Sequence, residues 1–329
     1  MDKTILDHTS RKLIGLLQTD FPLSREPYSE LGTKLGINHE EVIQYIKLLR
    51  KRKIVRQISP VFDARKLGYQ PTLLAMRVTG DALERMEQLI IAHPGVSHAY
   101  ERDHYFNLWF TLAAHPGTDL ERALEQLTSS FGVEARIALP AVKIYKIGAC
   151  FTMDDGHKKA GTTVQTDSAL TGKARLSQAD RAIINELQQD LPPTRTPFSA
   201  MAARLGMTEN HFLAGCRSLK KRGIMRRYGA AVNHRNAGYK ANAMTCWVAP
   251  KDKVDAAGGK LASLPQVSHC YERKTNPLWN YNLFAMIHGR AREACREIVR
   301  TVSAETGLSD YVILFSTREI KKTRVKYQV

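Results

Sequence analysis

Two long stretches of this chain run in register with each other, and that duplication limits the fold more than any other feature. At an offset of 170 residues Arg11 meets Arg181, Asp20 meets Asp190, Leu35-Gly36 meets Leu205-Gly206, and Gly68-Tyr69 meets Gly238-Tyr239. One added residue then brings Val96-Ser97-His98 onto Val267-Ser268-His269, and a few more within KTNPLWNY bring Asn107-Leu108 onto Asn282-Leu283. The period is too long for a solenoid, so one whole module has been copied in tandem. The joint, Met153 to Arg175, is polar and rich in Gly, Ser and Thr, as a flexible linker should be.

Within each copy the pattern changes halfway. Copy one begins with Leu13, Ile14 and Leu17 on one helix face, then YSELGTKLG, then NHEEVIQYIKLLRKR, in which Asn38 and Glu41 fit a capping box. In copy two Thr208 takes the capping place before ENHFLAGCRSLKKRG. KIVRQISPVF and GIMRRYGAAV come next as short β-like pairs, so three helices and a ribbon predict a winged helix-turn-helix. The remainder of each copy reads strand, helix, two strands, helix, strand, which is the ferredoxin-like βαββαβ order. The expected class is α+β: winged helix-turn-helix domains at 1–68 and 176–238, ferredoxin-like domains at 69–150 and 239–329, and a linker at 151–175.

Chemistry concentrates where the copies are most alike. VSHAYER and VSHCYER are strands, and a period of two puts Val96, His98, Tyr100 and Arg102 on one face, with Val267, His269, Tyr271 and Arg273 on its counterpart. Helices cover only one face of a ferredoxin-like sheet, and a cation beneath them would need a partner. Ala99 and Cys270 suit the covered side, with Glu101 and Glu272 near its rim, so the His-Tyr-Arg rows belong on the open face. Past these rows the copies diverge: copy one has His104 and Tyr105 in the turn, whereas copy two has Trp279 and Tyr281. Aromatic rings beside imidazoles and guanidiniums suit a large, flat, anionic ligand. His115 and His288 stand at strand ends and read as ordinary histidines.

The charge balance points the same way. Against 32 Asp and Glu stand 49 Lys and Arg, a net +17 that favours anionic partners such as nucleic acid, a polycarboxylate or an anionic membrane surface. No apolar run approaches the length of a bilayer, so no membrane partner is expected. The five cysteines form no C-x-x-C pair, which fits reduced thiols and a cytoplasmic setting.

HAYERDHYFNLWFTL and HCYERKTNPLWNYNLFAMIHG resemble the signatures of the two subunit types of the siroheme decarboxylases, within the wider Lrp/AsnC family. The resemblance covers nearly all of the chain outside the linker. It implies a carboxy-lyase that removes the carboxyl groups of two ring acetates of siroheme, giving didecarboxysiroheme in haem d1 or alternative haem biosynthesis. It implies catalytic roles for His98, His104, His269, Tyr100 and Tyr271, and substrate contacts from Arg102, Arg273, Trp279, Tyr281, Asn107 and Asn282. No cofactor and no metal of its own is expected, since the iron belongs to the siroheme; His104 or His269 is its candidate axial ligand, and proton donor and iron ligand stay open as roles. A homodimer of the fused pseudo-dimer also stays open.

The competing reading is an Lrp/AsnC-type DNA-binding regulator with a haem-like effector. Dimeric regulators read paired half-sites with matching recognition helices. Here the two helices differ at most exposed positions near their N-termini, and Glu40, Glu41 and Glu209 would bring negative charge towards phosphates. Functional DNA binding is therefore not expected.

Overall fold

The computed structural model describes residues 6–19, 21–128, 132–148, 172–233 and 241–329. Most of the expected linker and the Gly238-Tyr239 boundary lie outside the described residues.

Each copy opens with three helices: α1 (His8–Thr19), α2 (Pro27–Leu35) and α3 (His39–Lys51), and later α6 (Gln178–Leu187), α7 (Pro197–Arg204) and α8 (Glu209–Lys221). The start of α3 is fixed as expected, with Glu41 N donating to Asn38 Oδ1 and Asn38 N to Glu41 Oε2, both at 2.9 Å. Thr208 Oγ1 accepts from His211 N at 3.3 Å at the head of α8. The wings depart from expectation. Each is a single strand, β1 (Val55–Phe62) or β6 (Met225–Val232), and the two pair antiparallel with each other. Each segment meets its backbone needs across the duplication rather than by folding back on itself. Gly229 lets this ribbon approach α1, because a Cβ there would collide with Leu17 O. One apolar core, including Leu17, Ile46, Ile184, Phe212 and Tyr228, unites both helical domains.

The remaining order is β2 (Gln70–Val78), α4 (Asp81–Ala92), β3 (Val96–Arg102), β4 (Leu108–Ala114), α5 (Leu120–Thr128) and β5 (Val133–Ile147) in copy one. Copy two repeats it as β7 (Ala241–Trp247), α9 (Val254–Ser263), β8 (Val267–Arg273), β9 (Leu283–Gly289), α10 (Arg292–Thr306) and β10 (Tyr311–Lys322). Both are βαββαβ, but the halves are interlocked rather than merely apposed. The first part of β5 pairs with β2 and the remainder, from Ala141, with β8. Likewise β10 pairs with β7 as far as Phe315 and with β3 from Ser316 onward. The eight strands close into a barrel, so neither sheet keeps a free edge. Lys146 and Lys321 lock the crossings: each ammonium donates at 2.7 Å to a carbonyl at a helix C-terminus, Leu264 O after α9 and His93 O after α4, where the macrodipole favours a cation.

Helices pack outside each half-barrel on Leu74, Ala99 and Phe110 in copy one and on Ala243, Cys270 and Ala285 in copy two. The interior is lined by Leu73, Trp109, Leu139, Met244, Trp279, Phe284 and Leu314, among others. After β10 the chain runs back to the wings, where Arg324 donates to Pro60 O at 2.9 Å and to Gly229 O at 3.0 Å, clamping barrel to ribbon.

Candidate active site

The shared spelling V-S-H-x-Y-E-R is built on a bulge. Register shifts between Val96 and His98, and between Val267 and His269, so both valines turn into the helix-covered cores with Ala99 and Cys270. This corrects the expected row: His, Tyr and Arg share the inner face, but Val96 and Val267 do not. The bulge also places each serine against its neighbouring imidazole, with Ser97 Oγ 2.9 Å from His98 Nδ1 and Ser268 Oγ 2.9 Å from His269 Nδ1.

His98 acts electrostatically on His269. Burial, then Lys322, Arg324 and Arg56, push His98 down to about 3; burial, then His98, Arg227, Lys322 and Arg273, do the same to His269. Both imidazoles are therefore neutral at pH 7 in the field of these cations. The cations come from both wings, β8, β10 and the segment after it, so part of the basic balance of the sequence is focused on these histidines.

Further along the rows stand the two arginines. Arg102 is only 4% exposed, and its guanidinium donates to Leu314 O at 2.8 Å and lies 5.4 Å from the Tyr100 ring centroid. Arg273 donates to Leu139 O at 2.9 Å and lies 4.6 Å from the Tyr271 ring. Neither forms a salt bridge among the described residues, and each Nε is buried without a hydrogen-bond partner. Burial above all draws both down to about 10, so they stay charged. Two desolvated cations without counter-charges are costly, and an anion arriving between the rows would relieve both. Burial raises Tyr271, which keeps its hydroxyl protonated as a donor.

The other expected residues divide. His104 does not join the histidine pair: it lies beyond the far end of β3, its Nδ1 accepts from Phe106 N at 3.1 Å, and its ring meets Trp279 edge-on at 5.5 Å. Trp279 is 4% exposed and packed against Trp109 and Tyr281; its indole N–H has no acceptor among the described residues. Tyr281 borders this cluster half-buried, its hydroxyl raised by burial and by Asp310. Asn107 and Asn282 are engaged with backbone at the sheet ends. Asn107 exchanges two hydrogen bonds with the Val78 backbone, at 3.0 and 2.7 Å, and Asn282 exchanges two with Ala249, at 2.7 and 2.8 Å. Each amide mimics a strand partner at a sheet end.

His288 reads as ordinary in the sequence, yet it is 5% exposed and its Nε2 lies 2.8 Å from Ser268 Oγ, which makes a chain His269–Ser268–His288. A signal for it exists in the repeat: His288 aligns with Ala113, one more place where the copies part.

These features define a class: a fused pair of Lrp/AsnC-like modules whose effector-type sheets have closed into one barrel around a cationic, histidine-bearing interior. The AsnC-like ligand binding domain model matches residues 66–146 and 236–321, and the siroheme decarboxylase NirDL-like HTH domain model matches residues 10–56 and 180–226. A siroheme decarboxylase of Hydrogenobacter thermophilus is 39% identical over 96% of this chain and 94% of its own. A siroheme decarboxylase beta subunit of Methanosarcina barkeri is 38% identical over 46% of this chain and 99% of its own, the length of one copy. A crystal structure of the siroheme decarboxylase NirDL in co-complex with an iron-uroporphyrin III analogue is 36% identical, with a TM-score of 0.72, over 98% of this chain and 95% of that one. The chain belongs to the siroheme decarboxylase family.

Proposed function

We propose that this chain is a carboxy-lyase that removes the carboxyl groups of two ring acetates of siroheme, giving didecarboxysiroheme for haem d1 or alternative haem biosynthesis in the cytoplasm. The observation that carries this reading is the pair of desolvated guanidiniums, Arg102 and Arg273, which lack carboxylate partners among the described residues and stand on rows with His98 and His269. A flat macrocycle ringed by carboxylates supplies the missing charge; duplex DNA cannot enter a barrel interior. No helix among the described residues is long and apolar enough to cross a membrane.

In the reaction, the bond between an acetate methylene and its carboxylate breaks, carbon dioxide leaves, and the electron pair is held by the conjugated ring. A proton then reaches the methylene carbon to give a methyl group. No net oxidation occurs, so the protein needs no redox cofactor of its own, and the iron is part of the substrate. Arg102 and Arg273 hold carboxylates, and His98 and His269 deliver the proton. Both histidines are neutral in the cationic site, and the substrate's negative charge reverses that field and raises their affinity for a proton. Tyr100 and Tyr271 hold the arginines by their ring faces.

His98→Ala and His269→Ala test the assignment under anaerobic turnover with siroheme. Loss of decarboxylated product with siroheme still bound supports it; full activity in both variants refutes it.

A further inference from the structure

The duplication gives the barrel two inner faces, and they are not chemically equal. Laying one copy on the other superposes the arginine anchors, since Arg102 reaches Leu314 O and Arg273 reaches Leu139 O. Directly across from each arginine the pairing partner is Ser316 for Arg102 and Ala141 for Arg273. On β7 and β9, Asn242 and His288 pair with each other; at the matching places on β2 and β4, Pro71 pairs with Ala113. Three polar side chains on the copy-two face thus correspond to three residues without a side-chain polar atom on the other. One position runs the opposite way, Thr111 against Met286.

The polar set is incompletely used. Asn242 Oδ1 and Ser316 Oγ are both buried and have no hydrogen-bond partner among the described residues. An unmade buried hydrogen bond is destabilising, and Ser316 Oγ across from Arg102, with Asn242 Oδ1 on the neighbouring strand β7, marks a place for a polar ligand group. His288 adds a link, through Ser268, to His269, and it acts electrostatically with Arg102. The mirrored face has Arg273 against the Tyr271 and Phe284 rings, with Ala141, Pro71 and Ala113 in place of the polar set and no counterpart of that link among the described residues.

We infer that the barrel holds one substrate macrocycle, not two, seated on the Arg102 side with Asn242 and Ser316 as additional binding residues for a substrate carboxylate and His288 as a positioning residue for His269. This rests on the function proposed above and goes further, assigning the work to one of two pseudo-equivalent faces. Ser316 and Arg102 Nε donate to the carboxylate. The Asn242 amide turns its N–H towards it, and the Ser268 hydroxyl relays the orientation of His288 to His269. The Arg273 face then serves to close the site.

The test is an equilibrium titration of the full chain with iron-uroporphyrin, followed by its Soret band, on the unmodified protein and on Asn242→Ala, Ser316→Ala and Thr111→Val. The expected result is one equivalent bound per chain, weakened about tenfold by Asn242→Ala or Ser316→Ala, as for a hydrogen bond to a charged group, and unchanged by Thr111→Val. Two equivalents of similar affinity overturn the inference and leave the proposed function standing, as does equal weakening by the variants of both faces. No binding at all overturns both. Stoichiometry is read on the unmodified chain, so it does not depend on any variant folding. For His288, His288→Ala should move the pH profile of decarboxylation while substrate affinity changes little; a profile that keeps its shape removes the positioning role.

Discussion

Arg102 and Arg273 occupy matching places in the two hairpins, and each is held by a backbone carbonyl from the other copy, Leu314 O and Leu139 O. The duplication thus fixes two charges that neither half could position alone. Because neither has a carboxylate partner among the described residues, they constitute stored electrostatic cost rather than stability. Replacing Arg102 by Met should weaken binding of an iron porphyrin polycarboxylate on the order of a hundredfold while leaving the melting temperature unchanged or higher. Arg273→Met should show the same pattern with a smaller loss of affinity. Titration and calorimetry on the same samples check both; a variant that binds normally and melts lower would show these arginines to be structural.

The neutral histidine pair predicts proton uptake. His98 and His269 are held at about 3 by burial and by surrounding cations, so at pH 7 the site carries almost no imidazolium before a ligand binds. A polyanionic ligand screens those cations. Binding enthalpies measured in buffers of different ionisation enthalpy should therefore reveal protons taken up with the ligand, and His98→Ala or His269→Ala should reduce that number. Uptake identical in both variants and the unmodified chain would place the proton elsewhere.

Stability against acid depends on the same residues. His98, His269 and His288 are each depressed to about 3 from an ordinary value of 6.5. Above pH 6.5 these groups are neutral whether the chain is folded or not, and they add no pH dependence. As pH falls from 6.5 towards 3 the unfolded chain binds protons that the folded chain refuses, so stability is lost across that window. Melting temperatures should be flat near pH 7 to 8 and decline below 6.5, less steeply in His288→Ala. A protein equally stable at pH 7 and pH 4 would contradict the burial assigned to these rings.

Asn107 and Asn282 offer a contrast. Each contributes two side-chain hydrogen bonds to backbone at a sheet end. Alanine at either position should cost about 2 kcal/mol of stability, near 1 kcal/mol per bond, without changing the affinity for an iron porphyrin. Denaturant unfolding and a ligand titration separate the two effects; lost affinity with retained stability would return these residues to the binding site.

Much of the architecture is legible in the sequence because it rests on local pattern. The offset repeat, the capping box at Asn38 and Glu41, and the strand period that groups His98, Tyr100 and Arg102 all come from spacing. The facing of the rows is also legible, since Ala99 and Cys270 can pack under helices and arginine cannot without a partner. The features that escape depend on partners distant in sequence. The bulge at Ser97 carries no Gly to announce it, and the wing strands find each other only across the duplication. The change of partner within β5 comes immediately after Pro140, but only the assembled barrel shows what the second half pairs with. His288 escapes for a different reason: alone at a strand end it looks ordinary, and its meaning lies in Ser268 beside it and in Ala113 opposite it in the repeat.

The most direct test of the central claim is to incubate the purified full chain with siroheme under anaerobic conditions and follow carbon dioxide and the tetrapyrrole mass together. The account predicts loss of two carboxyl groups per macrocycle, with two molecules of carbon dioxide released and no added redox cofactor. Siroheme that binds tightly yet is recovered unchanged, with no carbon dioxide above the protein-free control, would contradict it.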